Sequence, residues 1–204
     1  MRASVSPTAR HVVLVGGGHT HVQVLRGLVM DPCPELRHTV VLDQPLAVYS
    51  GMVPGFVAGQ YRQDELEIDI VPLARRAGAA VILAAATGVD PIARQIRLEG
   101  RPPIAYDLAS FDVGSTVAGL DLPGIREHAL ATRPIGRVVG QLDRRLDALG
   151  AEPRIVVVGG GAGGVELAFA LDARRRDRLD ARRRDRLDAR RRDQPEARTT
   201  AHPA

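Results

Sequence analysis

The chain has 204 residues, enough for a packed core, and a formal net charge of +4. Eleven Arg and five Asp lie within residues 173–193, so the rest of the chain has a net charge of −2; the basic balance belongs to this tail and says nothing about the partners of the folded part. The absence of Lys excludes Schiff-base and P-loop lysine chemistry, and the single Cys33 excludes an intramolecular disulfide or redox dithiol.

The first predicted elements are a strand, a glycine turn and a helix. Val12–Val15 is a β-branched run that leads into three glycines, and the helix after them carries apolar residues three or four apart and stops before Asp31. Gly16 and Gly18 occupy the first two glycine positions of the dinucleotide fingerprint G-x-G-x-x-G, whereas His21 stands at the third. This pattern favours a pyrophosphate at the helix N-terminus.

Two histidines lie at the start of this helix. Their side chains diverge because they are two residues apart, so metal binding is disfavoured. His19 and His21 either contact the cofactor phosphate or pack within the protein, and His19 is counted among the candidate cofactor-binding residues.

The second strand is predicted over 38–42 and ends at Asp43. A dinucleotide site places a carboxylate there for the ribose hydroxyls, and the alternative is a residue that only caps the strand. Residues 45–59 form an apolar loop that is either core filler or the lining of a cavity for a flat ring system. Within it, the small residues Ser50 and Gly51 would let a ligand approach the backbone.

Short secondary-structure elements are predicted for the middle of the chain. They are an extended segment over 66–70, a helix over 71–77, and an antiparallel meander of three strands over 80–85, 94–98 and 108–113. A helix follows over 131–149 with Thr132 as its cap, then a strand over 154–158. A second glycine turn, Gly159, Gly161 and Gly164, fills all three fingerprint positions and precedes a helix that begins at 165–171.

An eight-residue unit, ARRRDRLD, repeats without variation from Ala173. It predicts a solvated helix or a disordered extension, and Asp172 and Arg176 form a favourable i,i+4 pair. Nucleic-acid binding by this repeat is disfavoured because Asp interrupts every run of Arg and the repeat has no aromatic residue for base stacking. A disordered end is predicted from Gln194. No apolar run approaches the about 18 residues of a membrane helix, so no transmembrane segment and a cytoplasmic location are expected.

Taken in order, the chain contains the motifs GGGHTH (16–21), Asp43, YSGMVPG (49–55), FDVGST (111–116), LPGI (122–125) and GGGAGGVELA (159–168). This series resembles the pyridine nucleotide-disulfide oxidoreductase superfamily, in the branch related to type II NADH dehydrogenases that includes proteins fused to selenide, water dikinase. The resemblance covers about residues 10–172. It implies an α/β fold with a Rossmann-like FAD-binding domain and small meander over 1–120, the start of a Rossmann-like NAD(P)-binding domain over 121–172, and a tail over 173–204.

The resemblance also implies roles for the matching residues. For FAD, Gly16, Gly18 and Asp43 would hold the diphosphate and ribose, and Ser50 and Gly51 would lie by the flavin. Val89 would face the adenine, and Gly114 and Ser115 would lie where the chain leaves the FAD domain. NAD(P)H would be served by Gly159, Gly161, Gly164 and Glu166. Val89 and Ser115 could equally be ordinary strand and turn residues.

The activity implied is an FAD-dependent NAD(P)H oxidoreductase. With no cysteine pair, the electrons would pass from the flavin to a small non-thiol acceptor such as a quinone, and a functional link to selenide, water dikinase is suggested. Strands that complete both domains in this family do not follow residue 172, so the chain is expected to be C-terminally truncated. The alternative function is a non-catalytic remnant that acts as a weak nucleotide-binding or interaction module.

Overall fold

A computed structural model describes residues 9–149 and 153–192. In chain order its elements are β1 (Arg10–Val15), α1 (His19–Met30), β2 (Leu36–Leu42), β3 (Leu46–Val48), a 3-10 turn (Ser50–Met52), α2 (Val53–Ala58), α3 (Gln63–Leu66), β4 (Glu67–Asp69), α4 (Ile70–Arg76), β5 (Ala80–Leu83), β6 (Ala86–Asp90), β7 (Gln95–Leu98), β8 (Arg101–Ala105), β9 (Leu108–Phe111), α5 (Ile125–His128), α6 (Ile135–Ala148) and α7 (Ala162–Arg192). None of the helices in these two ranges is long and apolar enough to cross a bilayer.

A four-stranded parallel sheet lies at the centre of the first half. Its order is β5-β2-β1-β9, with β1 paired to both β2 and β9. On one face, α1 and α4 pack through Leu25 and Ala74, which are fully buried against Val40 and Leu42 of β2. The predicted strand–turn–helix and the second strand are present, and the arrangement is Rossmann-like because β-strands connected by helices run parallel.

The other face of the sheet is covered by a three-stranded antiparallel meander, β6-β7-β8. Ile96 of β7 is buried against Val13 and Val41 of the parallel sheet. Two of the three segments predicted to form this meander are wrong. The segments over 80–85 and 108–113 belong to the parallel sheet instead, as β5 and β9. The true third strand, β8, contains two prolines, which lack a donor N–H and suit an edge strand.

The predicted apolar loop over 45–59 is mostly regular structure. β3 pairs with β4, and α2 begins with a proline in its first turn and ends at Gly59 in the left-handed region. Phe56 and Val57 of α2 are buried with Leu66 and with Leu142 of α6. This part of the segment is therefore core filler, one of the two alternatives, while Ser50 and Gly51 stay exposed.

The second half departs from the prediction before the second glycine turn. Residues 153–160 form no strand, and Val156 and Val158 are 75% and 89% exposed. Among the described residues, no strand lies beside this segment, so the hydrogen-bonded ladder that a β-strand requires cannot form. The preceding helix, α6, begins after Pro134 rather than at the predicted Thr132.

The repeat is helical as far as Arg192, within the 31-residue α7. The start of α7, before the repeat, packs on α2 and α6 through Ala170 and Leu167. Beyond that contact, Arg174 and Arg178 pair with Asp143 and Asp147 of α6 at 2.6 and 2.9 Å. The predicted pair between Asp172 and Arg176 is formed at 2.5 Å. The disordered end predicted from Gln194 lies outside the described residues.

Arg174 should stabilise the docked position of α7. Only 16% of its side chain is exposed, so Arg174→Met should lower the free energy of unfolding by about 1 kcal/mol through loss of the ion pair. Arg182 occupies the same place one repeat further on and is exposed, so Arg182→Met should change stability by less than about 0.5 kcal/mol. Urea unfolding followed by circular dichroism measures both, and equal effects would contradict the docking.

Two buried histidines should make stability depend on pH. Burial, with a smaller effect of Arg37, lowers the pKa of His11 below 6.5, and burial lowers the pKa of His38. The unfolded chain then binds protons more readily than the folded one, so the free energy of unfolding should fall as the pH decreases from about 7 to about 5. In His38→Gln that fall should be smaller, and an unchanged pH slope in urea titrations would contradict the assignment.

Candidate nucleotide-binding sites

The first glycine turn is held against the ends of two strands. The Gly16 N–H donates to Val41 of β2 at 2.8 Å, and the Gly18 N–H donates to the carbonyl of Asp112 at 3.1 Å. Gly16 has φ of +93°, and a Cβ there would lie 2.7 Å from the Asp112 carbonyl carbon and 2.9 Å from Val113 Cα. Only glycine fits this position, since both the conformation and the close backbone approach exclude a side chain.

Asp112 caps the helix that follows the turn. Its backbone N–H donates to Val15 at 2.8 Å, which continues the β1–β9 ladder by one bond. Its carboxylate accepts from the His21 N–H at 3.2 Å, and a Cβ on Gly18 would overlap that carboxylate. Asp112 therefore accepts two of the four N–H groups at the start of α1 that have no partner within the helix.

The N–H groups of His19 and Thr20 lie between those two donors. Both residues are exposed, and within the described residues no side chain accepts from either N–H. Two adjacent donors at the positive end of a helix fit one oxyanion, so the turn can receive the diphosphate of a dinucleotide.

His21 is a structural residue that the sequence left undecided between phosphate contact and packing. It is 1% exposed, with Nδ1 2.8 Å from the Gly16 carbonyl oxygen and Nε2 2.9 Å from Ser110 Oγ. A carbonyl only accepts, so Nδ1 carries the proton in the neutral ring and Nε2 accepts from the Ser110 hydroxyl. The imidazole thus joins the glycine turn to β9, which identifies packing as its role.

Several other predicted residues lie at the same edge of the sheet. Asp43 is exposed directly after β2, at the carboxyl edge where Gly16 lies. The His19 ring stacks on Tyr49 with centroids 4.8 Å apart, and a Cβ at Gly51 would lie 3.0 Å from the same tyrosine ring. The structure therefore brings the loop of Ser50 and Gly51 beside the first turn of α1.

The remaining residues predicted for the first site are placed differently. Gly114 has positive φ and is exposed two residues after Asp112, with Ser115 exposed beside it. Val89 lies on β6 opposite Ile96, in the meander rather than at the carboxyl edge of the parallel sheet.

A cleft of about 260 Å³ joins the second glycine turn to the 50–54 loop. Gly159, Gly161, Gly164 and Glu166 line one side, and Ser50, Val53, Pro54 and Arg133 line the other. A Cβ on Gly164 would overlap the Gly159 carbonyl, so the turn is closed tightly at the start of α7. Residues predicted from two separate motifs therefore face one cavity.

Two glycine turns before helices, one at the carboxyl edge of a parallel sheet, are the pattern typical of dinucleotide-binding α/β proteins. The chain belongs to the family described as pyridine nucleotide-disulphide oxidoreductase, whose model matches residues 10–199. The predicted superfamily and Rossmann-like fold class are thereby confirmed.

Two curated relatives extend this result. The chain is 25% identical over 169 residues to the NADH dehydrogenase-like protein YutJ of Bacillus subtilis (strain 168), covering 82% of this chain and 46% of YutJ. It is 24% identical over 151 residues to the sulfide-quinone reductase of Aquifex aeolicus (strain VF5), covering 74% and 34%. The chain thus spans less than half the length of these relatives.

Solved structures share the fold. The water-forming NADH oxidase of Lactobacillus brevis, bound to NADH, superimposes with a TM-score of 0.65 at 20% identity, over 81% of this chain and 38% of that one. The sulfide:quinone oxidoreductase of Aquifex aeolicus gives 0.60 at 23% identity, over 71% and 33%.

His21 should support the fold of the turn more than His19 does. His21→Ala leaves a cavity and removes the partners of Gly16 and Ser110, which should lower the free energy of unfolding by about 2–4 kcal/mol. His19→Ala removes only an exposed stack and should cost less than about 1 kcal/mol. Thermal and urea unfolding of the two variants measure the difference, and similar losses would contradict the structural role of His21.

Proposed function

We propose that this chain forms the nucleotide-binding part of an FAD-dependent NAD(P)H oxidoreductase. FAD would bind at the first glycine turn, in a domain over 1–120, and NAD(P)H at the second, in a domain that starts over 121–172. The observation that carries this proposal is the cleft in which Ser50 and the turn of Gly159–Gly164 face each other, because hydride transfer requires the two reacting rings to meet.

The residues of the first turn supply binding and orientation. The N–H groups of His19 and Thr20 would hold the diphosphate, and the exposed Asp43 carboxylate would accept from the ribose hydroxyls. Ser50 and Gly51 would border the flavin, with Tyr49 held in place by His19. Gly114, Ser115 and Val89 are proposed to complete the site at the chain exit and beside the adenine.

The cleft would receive the nicotinamide nucleotide. Gly159, Gly161 and Gly164 let its pyrophosphate approach the start of α7, and Arg133 on the facing wall supplies positive charge. Glu166 lies one turn into α7 and would point toward the nicotinamide end. When bound, FAD supplies the hydride-accepting ring.

A small non-thiol acceptor is proposed for the electrons. The single cysteine, Cys33, lies between α1 and β2 and not in the cleft. One relative is named a sulfide-quinone reductase, which supports a quinone as the class to test first. A link to selenide, water dikinase stays a prediction.

A non-catalytic nucleotide-binding or interaction module is the second candidate. The exposure of Val156 and Val158 favours it, because the segment that leads into the second turn has no strand beside it in the described residues.

The two candidates separate when the chain is purified, supplied with FAD and then with NADH. The proposed oxidoreductase retains flavin absorbance, and NADH bleaches it. Asp43→Ala should weaken FAD binding about tenfold through loss of the ribose contacts, whereas Gly164→Val should keep FAD and lose its reduction by NADH because the turn cannot close. Retained flavin that NADH does not reduce would favour the second candidate. No flavin in the wild type would overturn the FAD proposal.

A further inference from the structure

A second cavity lies at the edge of the parallel sheet opposite the glycine turns. It has a volume of about 550 Å³ and is lined by the amino-terminal parts of β1, β2 and β5 and by β8 of the meander. We call it the basal groove. His11, Arg37 and Thr39 form its sheet side, and Ile82, Arg101 and Ile104 are among its other walls.

On the floor of the basal groove, His11 has a hydrogen-bond partner at one ring nitrogen and none at the other within the described residues. His11 is 6% exposed, its backbone N–H donates to the Asp107 carboxylate at 2.6 Å, and its Nε2 lies 2.8 Å from Thr39 Oγ1. The Nδ1 atom is buried and has no hydrogen-bond partner among the described residues. The Ala105 carbonyl is the backbone group that interacts with this ring, so Nδ1 lacks only a hydrogen bond of normal geometry among the described residues.

The charge of the basal groove is positive. Burial and the neighbouring Arg37 lower the pKa of His11, opposed by the Ala105 carbonyl and Asp107, so the ring is neutral near pH 7. The positive charge comes from Arg37 and Arg101, and neither forms an ion pair within the described residues. Two arginines without acidic partners beside a cavity suit a carboxylate.

The walls restrict the ligand further. Ile82, Leu98 and Ile104 present apolar surface, and β8 adds the rings of Pro102 and Pro103. A ligand that fills the basal groove therefore needs an apolar body attached to its anionic group.

We propose that the basal groove binds a small organic carboxylate, with the anion between Arg37 and Arg101 and the apolar body against Ile82 and Ile104. This site lies at the amino ends of the strands, away from both glycine turns, and does not depend on the proposed redox function.

Benzoate is the probe that tests the proposal. Calorimetric titration of the whole chain should show saturable binding in the millimolar range, as expected for a nine-atom ligand. Arg37→Gln and Arg101→Gln should each weaken binding about tenfold by removing a charge-assisted hydrogen bond. Arg76→Gln is the matched control, since this arginine is exposed on α4 and outside the groove, and it should leave the affinity unchanged.

Two further measurements keep the result unambiguous. Inorganic phosphate carries the charge without the apolar body and should bind more weakly than benzoate. Benzoate affinity should stay the same with FAD present, because the sites are at opposite edges of the sheet. Absence of saturable benzoate binding, equal weakening by Arg76→Gln, or competition with FAD would overturn the proposal.

Discussion

The contact between the first glycine turn and the end of β9 is the constraint on which the rest of the first half depends. Gly16 lies against the backbone of Asp112, which is 96 residues further along the chain, at a distance that admits no side chain. The same Asp112 extends the β1–β9 ladder and caps α1. One residue therefore fixes the last strand of the sheet, the turn and the direction of the first helix, and His21 adds a second tie through Ser110.

This arrangement determines how an anion can be held. The Asp112 carboxylate lies at the start of α1, where the helix dipole favours negative charge. A diphosphate placed on the His19 and Thr20 N–H groups would approach that carboxylate, which opposes it electrostatically. Binding at this turn must then rest on directed hydrogen bonds, and the stack of His19 on Tyr49 keeps the neighbouring loop in position beside those donors.

The local features of this fold were predictable and the long-range ones were not. The β-branched run, the glycines and the helical spacing identified β1, α1 and β2, because each depends on neighbouring residues. Sheet membership of β5 and β9 depends on pairing with distant strands, and an apolar run alone does not reveal it. The sequence did contain signals for α2, namely Pro54 near its start and Gly59 after its end. Nothing local paired Asp112 or Ser110 with the first turn.

The two glycine turns are consequently stabilised by different means. The first is built by long-range contacts between strands, so its donors are positioned only when β9 joins the sheet. The second keeps its tight approach of Gly164 to Gly159 without a strand before it. Its helix is held instead by Ala170 in the core with α2 and α6, and by Arg174 and Arg178 on the acidic face of α6. The repeat therefore contributes to folding through its first arginines, since they anchor the helix that presents the second turn to the cleft.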